Sequence, residues 1–182
     1  TNQGGINNTT KFINGAVDTV RLYDRALTAQ DVVAIYTEEM GAAPPAQNEY
    51  QAANSNNIYQ AEAASIYLGQ PLADYANFTG LGFADYDNIA GSYVEWLVES
   101  NAEKTVSLKI KYANGGAQDR TLKLHVNDEL KNASISFVTT GNWSIWKFVT
   151  VTATLKPGLN KIRLTANLEY GGPNIDYLEV VE

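Results

Sequence analysis

Thr105-Val106-Ser107-Leu108-Lys109-Ile110-Lys111-Tyr112 puts Val106, Leu108, Ile110 and Tyr112 on one side of an extended chain and polar residues on the other. A period of two is what a strand buried on one face requires; at helical spacing the same residues would scatter around the axis. The turn Asn114-Gly115-Gly116 ends this run, and Thr121–Val126 repeats the pattern with Leu122, Leu124 and Val126 inward before Asn127-Asp128. Further out, Ser92–Val98, Phe148–Leu155, Lys161–Ala166 and Asn174–Val181 alternate in the same way. Thr140-Gly141-Asn142, Pro157-Gly158 and Gly171-Gly172-Pro173 punctuate them. Many short strands separated by turn chemistry, with no helix between them, predict an all-β fold, a jelly-roll β-sandwich.

The first forty residues have another texture. Ala16–Tyr23 alternates as a half-buried strand does. Thr28 is placed to cap a helix, with Asp31 three residues on and Val32, Ile35 and Tyr36 at helical spacing. Gly41 ends that helix, and Ala42-Ala43-Pro44-Pro45-Ala46-Gln47-Asn48 reads as a linker. The expected organisation is a strand-helix segment at 1–40, a linker at 41–57 and a β-sandwich at 58–182. One strand and one helix cannot enclose a core, so the first piece must pack on something else.

Composition removes several functions. A formal net charge of −7 without a Lys/Arg cluster disfavours nucleic acid as a partner. No run approaches the roughly 18 uninterrupted apolar residues of a membrane span. The absence of cysteine excludes disulfides, thiol catalysis and cysteine-ligated metals. There is no nucleophile elbow, phosphate loop or metalloprotease helix motif. The single histidine, His125, falls on the strand face opposite Leu122 and Leu124, where a solvent-facing role fits better than a catalytic one. Two suitably spaced carboxylates would suffice for glycoside hydrolysis, and no pair is marked by its neighbours.

The aromatic residues are more informative. The 3 Trp, 11 Tyr and 5 Phe include Tyr67, Tyr75, Phe78, Phe83, Tyr86, Trp143 and Tyr170, which fall in expected loops. A sugar ring presents an apolar C–H face that stacks on an aromatic ring, and hydroxyls that need amide-type partners around it. Trp143 follows Asn142, Asn114 lies in a Gly-rich turn, and Asn174 follows Gly171-Gly172-Pro173. That composition suits a sugar site.

Residues 58–182 resemble carbohydrate-binding module family 35 and, more distantly, family 6. The matching stretches begin with Tyr59-Gln60-Ala61-Glu62-Ala63, Gly82-Phe83-Ala84-Asp85-Tyr86 and Gly91-Ser92-Tyr93-Val94-Glu95-Trp96. Next come Lys111-Tyr112-Ala113-Asn114-Gly115-Gly116, Leu124-His125-Val126-Asn127 and Thr140-Gly141-Asn142-Trp143-Ser144-Ile145-Trp146. Gly158-Leu159-Asn160-Lys161-Ile162-Arg163-Leu164 and Pro173-Asn174-Ile175-Asp176-Tyr177-Leu178 complete the series in the same order. Phe12–Thr28 resembles the closing strand and helix of a laminin-G-like, concanavalin-type domain, a likeness extending over residues 12–38.

The resemblance implies a non-catalytic module that holds a covalently linked polysaccharide-degrading enzyme on a polysaccharide or oligosaccharide, in a secreted, extracellular bacterial protein. It implies a structural Ca²⁺ held by Glu62, Asp176 and Gln60. The family usually has Glu at the last of these, and an amide oxygen can still ligate a hard cation. It places the sugar site on Trp143 as stacking platform, Asn114 and Asn174 as hydrogen-bonding amides, Phe83 as a second aromatic and Arg120 as a local basic residue. Trp96 and Trp146 are assigned to packing. The net charge gives a narrow preference for neutral or galactose-containing glycans, such as mannan or galactan, over uronic-acid glycans. The alternatives are a catalytic fragment of a glycosidase or lyase and a purely structural adhesion sandwich.

Overall fold

The computed structural model describes residues 57–182; the strand, helix and linker expected before that point lie outside the described residues. The elements are β1 (Ile58–Gln60), β2 (Ser65–Tyr67), β3 (Gly69–Leu72), β4 (Phe83–Tyr86), β5 (Tyr93–Ser100) and β6 (Lys104–Ala113). They continue with β7 (Leu122–Val126), β8 (Glu129–Ile135), β9 (Lys147–Leu155), β10 (Gly158–Ala166) and β11 (Asn174–Val181). All pairings are antiparallel. A six-stranded sheet runs β3-β4-β11-β6-β9, with β1 also on β11, and faces a five-stranded sheet, β2-β5-β10-β7-β8. This is the all-β jelly-roll sandwich that the alternation predicts.

The core lies between the sheets and is made of the residues that the period of two selects. Val106, Leu108, Ile110 and Tyr112 of β6 face Val94, Trp96 and Val98 of β5, Leu122, Leu124 and Val126 of β7, and Ile162 and Leu164 of β10. Each such side chain contributes about 1.5–3 kcal/mol on leaving water. Two buried polar groups tie the layers together. The Tyr86 hydroxyl donates to the Leu164 carbonyl at 3.0 Å, and the Trp96 indole N–H donates to the Gln60 carbonyl at 3.3 Å. Burial drives the Tyr86 phenol far above its ordinary pKa, so it remains a donor.

The turns place the loops. Asn127 and Asp128 both have positive φ, 53° and 66°, which is the geometry that matches the twist of the β7–β8 hairpin. His125 points away from the core, as its position in the alternation requires. Burial, with Arg163 and Lys123 beside it, holds its pKa below the usual imidazole value, so the ring is neutral at pH 7.

Candidate functional site

Two constellations form at the ends of β4 and β11. The first is a cleft of about 150 Å³ among the loops that connect the sheets, lined by Tyr75, Asp85, Tyr86, Asn88, Arg120, Trp143 and Asn174. Trp143 stands on a glycine. A Cβ added to Gly115 would meet the indole carbons at 2.5 Å, so only a residue without a side chain lets the ring lie flat on the backbone there. The Tyr75 ring stacks on Trp143 with centroids 6.0 Å apart and a 26° tilt, and the Arg120 guanidinium lies 5.2 Å from the indole centroid.

Arg120 is held in place. Its Nη1 donates to the carbonyls of Tyr170 and, at 2.9 Å, Gly172. Its side-chain hydrogen bonds within the described residues all use Nη1, which leaves Nε and Nη2 without a partner among those residues and able to donate to a planar anion. Burial lowers the Arg120 pKa, and the charge of Asp85 acts the other way. Asp85 is pushed up from the ordinary carboxylate range by burial and by Asp74, against the pull of Arg120. Asn174 is 1% exposed, and its Nδ2 has no partner among the described residues. A buried donor left unpaired costs about 1–3 kcal/mol, and Asn174 is one of the residues that line the cleft.

The structure thus brings Trp143, Arg120 and Asn174 together. Two other residues chosen from the sequence lie elsewhere. Phe83 is wholly buried although it stands on the face of β4 opposite the core residues Ala84 and Tyr86, because Tyr75, Phe78 and Trp146 cover it at 5.9, 5.8 and 5.6 Å. The second aromatic of the cleft is Tyr75. Asn114 is also buried, and its amide is occupied internally: Nδ2 donates to the carbonyls of Gln118 and Phe137, both at 2.8 Å, and Oδ1 accepts from Gly116 N–H. It braces the Gly115-Gly116 turn beneath Trp143 and does not border the cleft. Tyr75 was visible only as a loop aromatic, and no sequence signal distinguished Asp85 or Asn88.

The second constellation joins β1 to β11. Gln60 Oε1 and Glu62 Oε2 are buried without partners among the described residues, while Glu62 Oε1 accepts from Leu81 N–H at 2.8 Å. Both Asp176 oxygens accept from Thr79 N–H at 3.0 Å, and Lys111 Nζ sits 2.7 Å from one of them. Gly80, at φ 74°, passes so close that a Cβ would lie 2.4 Å from Glu62 Oε1. Burial raises the pKa of Glu62 and of Asp176, and for Glu62 the charge of Asp176 adds to this. Two carboxylates and an amide, with buried oxygens lacking donors, form an all-oxygen set suited to a hard cation. The residues fit Ca²⁺, with Lys111 already supplying one positive charge to Asp176. No third carboxylate or histidine joins them among the described residues.

One loop serves both constellations. Between β3 and β4, Ala76 N–H donates to Ser144 Oγ and Asn77 Nδ2 to the Ser144 carbonyl, both at 3.1 Å, beside Trp143. A few residues on, Thr79, Gly80 and Leu81 close over Asp176, Gln60 and Glu62.

Comparison with known proteins places this architecture. No family model matches the chain. An exo-β-D-glucosaminidase of Amycolatopsis orientalis is 42% identical over 118 residues, which is 65% of this chain and 11% of that enzyme. The chain therefore corresponds to a small part of a much longer relative. A family 35 carbohydrate-binding module of Clostridium thermocellum superposes with a TM-score of 0.67 at 40% identity, over 68% of this chain and 95% of that one. A family 35 module solved with a glucuronic-acid-containing disaccharide gives 0.64 at 34% identity, over 69% and 92%. With a complete family 35 module matched at this identity, and with the loop cleft and β1–β11 cluster on the same scaffold, the chain belongs to carbohydrate-binding module family 35 and is a non-catalytic module.

Proposed function

We propose that the module holds a linked polysaccharide-degrading enzyme on its glycan, raising the enzyme's effective concentration there, and that the sugar seated in the loop cleft is a uronic acid. Arg120 carries this reading: a fixed guanidinium with unused donors beside an aromatic wall suits a carboxylated pyranose. The glucuronic-acid-containing ligand of a 34% identical module supports it. The net charge of −7 that favours a neutral glycan is a property of the whole chain, whereas selectivity follows the charges within reach of the sugar.

A second reading, a neutral or galactose-containing glycan, is favoured by Asp85, whose carboxylate borders the same cleft and suits a hydroxyl better than an acid. Affinity electrophoresis against uronate polymers, mannans and galactans separates the two. Arg120→Gln is expected to weaken uronate binding about tenfold or more, near 1.4 kcal/mol, and to leave neutral sugars unaffected. Equal losses for both classes would remove the uronate assignment.

We also propose that Ca²⁺ binds between Gln60, Glu62 and Asp176 and fastens β1 to β11. Calcium at one hundred times its Kd is expected to stabilise the fold by about 2.7 kcal/mol, and Glu62→Ala to abolish that increment. Because the β3–β4 loop touches both constellations, chelation is expected to weaken sugar binding too. Identical thermal unfolding with calcium and with chelator would sink the metal assignment.

A further inference from the structure

Outside the cleft, the outer face of the six-stranded sheet carries an exposed aromatic ring, Phe148, beside the half-buried Tyr177. Phe148 of the edge strand β9 is 47% exposed, and its cross-strand neighbours are Lys111 of β6 and, beyond it, Tyr177 of β11. The Phe148 and Tyr177 rings lie 6.2 Å apart at 57°. An outward phenylalanine on an edge strand is otherwise a liability for association.

This platform is continuous with the cleft. Tyr75 of the cleft and Trp146 both pack on the buried Phe83, which sets them side by side at the end of the sandwich. Trp146 is half-buried, and its indole N–H donates to the Ala76 carbonyl at 2.8 Å, fixing the ring. The Lys111 ammonium then bridges Trp146 and Tyr177, 5.6 and 5.5 Å from their centroids. Charge changes along the way. Arg120 in the cleft keeps Nε and Nη2 without partners among the described residues, whereas Lys111 is paired with Asp176 and Lys109, over the Phe148 ring, with Glu179 at 3.0 Å. Beside Phe148 the exposed hydroxyls of Thr150, Thr152 and Thr154 continue along β9. Aromatic faces rimmed by hydroxyls and neutralised ion pairs suit uncharged pyranose rings rather than acids.

We infer that the sugar-binding surface extends from the cleft over Trp146 to the Tyr177–Phe148 platform. The ligand is then a chain in which a uronic acid, in the cleft, is attached to several neutral sugars that lie along the sheet. This rests on the cleft reading above and goes beyond it in assigning a second contact surface and the composition of the chain.

Isothermal titration with free uronic acid, a uronate disaccharide and a uronate-bearing oligosaccharide of several neutral units tests it. Affinity is expected to rise about fivefold or more, near 1 kcal/mol, from the disaccharide to the longest ligand. Phe148→Ala should remove that rise, Phe148→Tyr should preserve it, and neither should alter binding of the free uronic acid; thermal unfolding checks that both variants are folded. Uronate binding without a gain from length, or a gain that survives Phe148→Ala, would overturn the platform alone. Failure of every sugar to bind would overturn the cleft reading and the platform together.

Discussion

Trp143→Ala is expected to raise the Kd for the glycan about thirtyfold or more, corresponding to at least about 2 kcal/mol, and to leave the unfolding transition almost unchanged. The indole is half-buried and rests on the Gly115 backbone, Tyr75 and Arg120, all at the loop end of the sandwich and outside the hydrophobic core. Its removal takes away the flat surface against which a sugar ring stacks and leaves the Arg120 guanidinium without its neighbour. The intersheet core, built on Trp96, Leu108 and Leu164, is untouched. Affinity electrophoresis together with thermal denaturation gives both quantities. A purely structural sandwich predicts unaltered interactions, so a variant that is retained on the glycan like the native protein would refute the cleft.

Phe83→Ala is expected to do the opposite, with a loss of about 3–5 kcal/mol of folding free energy. The ring is 0% exposed and is surrounded by Tyr75, Phe78 and Trp146, so truncation leaves a void that these half-buried neighbours fill only in part. Against a total stability typically near 5–15 kcal/mol, such a loss lowers the urea midpoint sharply, with the slope of the transition preserved. Any weakening of sugar binding would follow from displacement of Tyr75 and from partial unfolding. If Phe83→Ala instead keeps native stability and loses only sugar affinity, the residue is a ligand contact and not a support. The two substitutions therefore separate the ring that meets the glycan from the ring that supports it.

The sequence made those strands legible that have one face in the core and one in solvent. β5, β6, β7, β9, β10 and β11 correspond to alternating runs, with ends displaced by at most a few residues. The unread strands lack that contrast. β8 is exposed at every position except Ile135, because it lies at the edge of its sheet and covers nothing. β3 contains Pro71, tolerated because this strand also lies at an edge. β4 is only four residues long, and its phenylalanine and tyrosine were assigned to a loop although both are buried, Tyr86 in the core and Phe83 on the opposite face beneath loop aromatics.

The same limit applies to the site. Trp143, Arg120 and Asn174 were identifiable as an aromatic, a cation and an amide near turns. Whether an amide is free for a ligand depends on its partners in three dimensions. Asn114 and Asn174 look alike as amides at glycine-containing turns, yet one is satisfied by Gln118, Phe137 and Gly116 and the other keeps an Nδ2 unpaired among the described residues. Likewise, the loop shared by the cleft and the β1–β11 cluster involves contacts such as Thr79 with Asp176, nearly a hundred residues apart, which no local pattern announces.

The central claim is that the cleft at Trp143 receives an acidic sugar, and the three indole N–H groups make it directly observable. Titration of a uronate disaccharide into nitrogen-15-labelled protein should shift the Trp143 indole resonance and the Arg120 Nε resonance in a saturable manner, while the Trp96 indole, buried in the core, stays still. Saturable binding that leaves both Trp143 and Arg120 unmoved would contradict the account, as would the absence of any shift at saturating sugar.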